Sequence, residues 1–105
     1  MRAGELRHRV TFKEKSVTRN DFNEEVITWT EVATVWASVE DLSGREFYEA
    51  RRAGAQVTTR IRMRYRSDIA PEMQATWDGH TYDIEAVTDP TGRKRELVVH
   101  VTEVL

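Results

Sequence analysis

Apolar and polar positions alternate with a period of two along most of the chain, the pattern of half-buried β-strands. In RHRVTFK, Val10 and Phe12 fall on one face, with Arg9, Thr11 and Lys13 on the other. The segment 16–25, SVTRNDFNEE, is polar without periodicity and reads as a flexible hairpin loop. From Val26 to Val39 runs VITWTEVATVWASV, rich in β-branched and aromatic residues. It exceeds an ordinary straight strand, so a break or bulge is expected near Glu31–Ala33, giving two strands or one strongly bent one.

One helix interrupts this pattern. Ser43 followed by Glu46 is a capping-box spacing, Phe47, Ala50 and Arg51 share a face, and Gly54 is a plausible terminator. About ten residues of helix are marginal alone and need something to pack on. A strand from Val57 to Arg66 follows, its inward set Val57, Thr59, Ile61, Met63 and Tyr65. QATW then leads through Asp78-Gly79, a two-residue hairpin signal, into HTYDIEAV with Tyr82, Ile84 and Ala86 inward. DPTGRKR is a further turn, and ELVVHVTEV closes the chain with Leu97, Val99 and Val101 on one face. The expected fold is mainly β, a six-stranded antiparallel barrel or compact sandwich with one short helix inserted between strands. Closure would also remove exposed strand edges.

A length of 105 residues sets a single domain, 1–105. Cysteine is absent, which excludes disulfides and thiolate metal sites and is compatible with a reducing compartment. The charged start lacks a signal-peptide core, and no apolar run approaches the ~20 residues of a membrane helix. The chain thus reads as soluble and cytoplasmic, with no membrane partner. Its net charge of −2 argues against general nucleic-acid affinity.

Catalytic patterns are missing. His8, His80 and His100 form no metal-ligand spacing. The glycines are isolated and build no phosphate loop, and Ser43 is better explained as a helix cap than as a nucleophile. Carboxylate pairs such as Glu24/Glu25, Glu40/Asp41 and Asp83/Glu85 are expected in a chain that is 32% charged. No enzyme activity, cofactor or metal is expected.

The most distinctive stretch is TTRIRMRYRSD, which places Arg60, Arg62, Arg64 and Arg66 at every second position. All four guanidinium groups project from one strand face. Such a stripe could track phosphates, but single-strand binders add aromatics to the same face, and here Tyr65 has the opposite phase. Carboxylates are the alternative partners: Asp83 and Glu85 share the outward phase, and Glu40 ends another strand. The pairs could form within the domain or across a subunit interface. Arg60, Arg62, Arg64, Arg66, Asp83 and Glu85 are therefore the candidate interface residues, and Phe22, a lone aromatic on a loop, is a candidate contact.

Taken in order, GELRHRVTF, WTEVATVWASVEDLSGREFYEA, IRMRYRSDI and WDGHTYDIEAVTDPTGRKRELVVHV resemble the phage head–tail joining family, also called head closure or stopper proteins, of tailed double-stranded DNA phages and prophages. The resemblance spans Gly4 to Val101 and rests on joint order and spacing. It implies a small β-barrel in a ring, commonly twelve-fold, beneath the adaptor on the portal vertex. That ring would close the head, retain packaged DNA as a passing contact, and dock the tail terminator or tail tube. The protein would assemble in the host cytoplasm and reside in the virion at the head–tail interface.

The resemblance also implies a channel-facing, gating role for the connection Asp41–Gln56. The candidates within it are Ser43, Arg45, Glu46, Phe47, Tyr48, Glu49, Arg51 and Arg52. The bland alternative is a helix that plugs one barrel end with Phe47 buried. Two other functional readings stand beside head closure: a tail-completion or tail-terminator ring protein, and a nucleic-acid-binding small barrel.

Overall fold

The computed structural model describes residues 6–54 and 57–104; Gly4, Glu5 and the last two positions of the 41–56 connection lie outside the described residues. The alternating segments form six strands and one helix. They are β1 (His8–Arg19), β2 (Glu25–Asp41), α1 (Gly44–Arg52), β3 (Thr59–Arg64), β4 (Gln74–Trp77), β5 (His80–Thr88) and β6 (Glu96–Val104). All neighbouring pairs are antiparallel, and the order β1-β2-β3-β6-β5-β4 closes on itself when β4 pairs with β1. Closure gives every strand a hydrogen-bonded neighbour on each side, although the short β4 pairs with only Thr11–Lys13 of β1 and His80–Asp83 of β5.

The inward phase of each strand supplies the core. Val10, Phe12, Ala37, Ile61, Met63, Val99 and Val101 are all fully buried, with Tyr82 and Ile84 beside them. The barrel is therefore filled by its own side chains and has no lumen. Asp78 and Gly79, both at positive φ, make the tight turn between β4 and β5. Asp89 holds the β5–β6 turn by accepting from the backbone N–H groups of Gly92 and Lys94, both at 3.0 Å.

Two bulges adjust the pattern. In the β1–β2 ladder Phe12 pairs with Ala33 but Lys13 pairs with Glu31, so Val32 is the extra residue and bends β2 where its length requires. In β5, Ile84 pairs with Val101 and Ala86 with His100, which makes Glu85 the extra residue. The phase then flips: Val87 packs on the core, and Ala86, expected inward, is exposed.

The segment 16–25 departs most from expectation. β1 continues to Arg19 and β2 starts at Glu25, so only positions 20–24 form a loop. The ladder runs unbroken from Lys13↔Glu31 to Arg19↔Glu25, beyond the barrel wall. This ribbon is an arm, and it lengthens the molecule to 48 × 31 × 27 Å. Both of its faces are exposed, with Val17, Val26 and Ile27 open to solvent and Trp29 half-buried.

Candidate functional site

Arg60, Arg62 and Arg64 lie on the outer wall of β3, as the alternation dictates, and Arg66 lies just past its end; the four have different fates. Arg60 Nη2 meets Glu40 Oε2 on β2 at 3.3 Å, and its Nη1 meets Glu46 Oε2 on α1 at 3.0 Å. Arg62 Nε reaches the same Glu40 at 3.4 Å. Arg66 forms a two-pronged pair with Asp68 at 2.8 and 3.0 Å inside the following loop. Arg64 is exposed and has no ion pair among the described residues.

Asp83 and Glu85 are not the stripe's cross-strand partners, because β6 lies between β3 and β5. Asp83 accepts from Gln74 Nε2 at 3.0 Å, and Glu85 accepts from Thr102 Oγ1 at 3.2 Å. The six candidate interface residues thus divide into separate local clusters. Glu40 and Glu46 pair with Arg60 and Arg62 instead. Ser43 donates to the Glu46 carboxylate, and this bond together with the Arg60 charge holds the Glu46 pKa below the usual carboxylate value. Arg66 lowers Asp68 in the same way, through its hydrogen bonds first.

α1 begins with the expected capping box. Ser43 Oγ accepts from the Glu46 N–H at 3.3 Å and donates to its carboxylate at 3.1 Å. Gly54 at positive φ ends it. The helix does not plug the barrel: none of its residues is buried, and Phe47 stays outside the core. Arg51 stacks over the Phe47 ring at 4.8 Å, Arg45 pairs with Glu49 at 3.3 Å, and Tyr48 is 70% exposed. The Leu42 N–H to Thr58 carbonyl bond at 3.0 Å and the Arg60–Glu46 pair tie this segment to the barrel. A cleft of about 530 Å³ separates helix and wall, lined by Leu42, Glu46, Glu49, Arg60, Glu85 and His100 among others.

His100 faces this cleft from β6, with Arg60 its register partner on β3. Burial, then the Arg60 and Arg62 charges, pushes its pKa below the usual imidazole value. The neutral form is thus favoured when folded, so the folded chain binds fewer protons than the unfolded one just below the ordinary histidine value of ~6.5. Stability should fall as pH drops from there through the folded-state pKa. Chemical denaturation at a series of pH values should show this step, and His100→Gln should remove it.

Phe22 sits at the arm tip and is 82% exposed. The loop beneath it is ordered: Asn20 Oδ1 accepts from the N–H groups of Phe22 and Glu24, at 2.9 and 3.0 Å. A feature absent from the sequence reading lies at the opposite end of the ribbon. Trp36, 53% exposed, projects outward from β2 with the Arg9 guanidinium 5.0 Å from its ring centroid. Trp36 and Arg64 line one recess of about 250 Å³, with Leu6, Val35, Tyr65 and Arg66. The outward phase of Trp36 was available in the alternation of β2; its adjacency to Arg64 depended on the β2–β3 pairing. Among the described residues no group of three or more His, Asp or Glu is arranged to hold a metal ion.

The model of one family, the phage head completion protein, matches residues 1–104. The chain belongs to that family. Membership makes it a structural protein of the phage head. Its fold is similar to the solution structure of protein SF1141 from Shigella flexneri 2a, at 29% identity and TM-score 0.75, covering 98% of this chain and 96% of that one. It is also similar to a chain in the virion of a native gene transfer agent particle, at 23% identity and TM-score 0.62, covering 93% and 96%. At that identity the second likeness speaks to fold alone. No curated relative matches the sequence.

Proposed function

We propose that this head completion protein is a ring-forming subunit of the head–tail connector. It binds beneath the portal and adaptor, retains packaged DNA and offers the surface on which the tail terminator or tail tube docks. The observation that carries this reading is the full-length match to the head completion family. The geometry is compatible with it. A barrel filled by Phe12, Ile61 and Met63 has no internal passage, so any channel must lie between copies. α1, none of whose residues is buried, is exposed so as to line that channel or close it, with Tyr48 and Arg45 open to solvent. Arg60 and Arg62 already meet Glu40 and Glu46, which leaves Arg64 as the stripe's free contribution to an interface.

Electron microscopy of lysates from a phage lacking this gene tests the reading. Emptied or leaking heads beside complete, unattached tails are expected. Filled, stable heads beside tails of aberrant length would move the protein to the tail and overturn it.

A further inference from the structure

The β1–β2 ribbon carries complementary surfaces at its two ends. At its tip, Phe22 stands between Asp21 and Glu24, and neither carboxylate has a cationic partner among the described residues. At its base, the exposed Trp36 carries the Arg9 guanidinium over its ring and lines, with Leu6, Val35, Tyr65, Arg64 and the Asp68-paired Arg66, a recess of mainly apolar walls. An aromatic anchor with flanking carboxylates matches an aromatic recess with flanking guanidinium groups in both shape class and charge. One chain cannot bring its own two ends together. Arg9 and Arg19 lie on one continuous strand, and at ~3.3 Å per residue the ribbon holds them roughly 33 Å apart.

We propose that the arm tip of one copy, Asp21, Phe22 and Glu24, docks in the Trp36–Arg64 recess of the adjacent copy, beside the Arg9 guanidinium that covers the Trp36 ring. The proposal rests on the ring reading above and identifies the contact that builds the ring. Because tip and recess are different surfaces, the contact is heterologous. Each copy gives one tip and receives one, so the series continues until it closes. The arm's composition follows from the same contact. Val17 and Ile27 face each other across the ladder, half-exposed on a ribbon with no second layer, and an adjacent copy would supply that layer.

The absence of cysteine makes the contact directly testable. Phage particles are assembled with chains carrying Thr18→Cys beside the tip and Ser67→Cys beside the recess together, which leaves Phe22 and Arg64 in place, then treated with a short bismaleimide. The expected result is a ladder of cross-linked species rising to a closed ring. Particles built from a mixture of the two single variants should give dimers joined tip to recess, and each single variant alone should give none. Both positions are exposed, so an unchanged thermal melt confirms that the variants fold.

Several results would overturn the proposal. Cross-linking by Thr18→Cys alone would mean that tips meet each other. A ladder that stops at dimers would mean a closed pair rather than a ring. Absence of cross-links in particles holding the normal number of copies would reject this contact and leave the ring reading intact. A single copy per particle would end both. Labelling of packaged DNA by a photo-cross-linker at position 64 would mean that nucleic acid covers the recess.

Discussion

Replacing Phe12 by alanine should lower the unfolding free energy by about 3–5 kcal/mol, read from the shift in denaturation midpoint at constant m-value. Phe12 is fully buried, and its register partners on both sides are small: Ala33 on β2 and Ala75 on β4. The ring therefore fills the barrel across a gap that its own neighbours do not fill. Removing it leaves a void beside two alanine methyl groups and the remaining core side chains, inside a closed hydrogen-bonded wall with little freedom to collapse. Domains of this kind typically hold about 5–15 kcal/mol in total, so the variant should be partly unfolded at modest temperature. Phe47→Ala is the informative contrast. That ring lies outside the core with a guanidinium on its face, and its loss should cost about 1 kcal/mol or less. Equal effects at the two positions would contradict the barrel-filling role assigned to Phe12.

The contrast between these two phenylalanines also marks what could be read from the chain. Strand phases were legible because burial of one face forces alternation, and Val10, Phe12, Ile61, Met63, Val99 and Val101 all point inward as that rule requires. The bulge at Val32 was foreseeable because β2 is too long to remain straight, and Asp78-Gly79 specified its own turn. Partners of the arginine stripe were harder, because they depend on strand order. Insertion of β6 between β3 and β5 separates the stripe from Asp83 and Glu85, and nothing local encodes that insertion. One extra residue at Glu85 was enough to turn Ala86 outward. The arm was misread for a different reason. With both faces in solvent it has no burial to impose alternation, so a hydrogen-bonded ribbon carries the composition of a loop. A strand that follows no packing rule of its own domain is the kind expected to meet its second layer elsewhere.

That argument leads to the sharpest separation between folding and function in this chain. Joining Glu14 to Thr30, which are register partners, through an Asn-Gly turn deletes residues 15–29 and nearly all of the arm. The truncated barrel should fold with a stability within about 1 kcal/mol of the intact chain, because the deleted ribbon packs on nothing in the core and the shorter connection lowers the entropy of the unfolded chain. Its incorporation into phage heads should nevertheless fall below detection. Circular dichroism melts of the purified chain and quantitation of the protein in purified particles measure the two effects independently. Loss of folding would mean that the arm supports the barrel in a way its exposed faces do not suggest. Normal incorporation would mean that assembly uses the barrel wall alone, with the Arg64 side of β3 as its first candidate. The expected outcome, a stable barrel that no longer assembles, follows from one physical fact: the ribbon's apolar side chains, Val17, Val26 and Ile27, find no burial within a single chain.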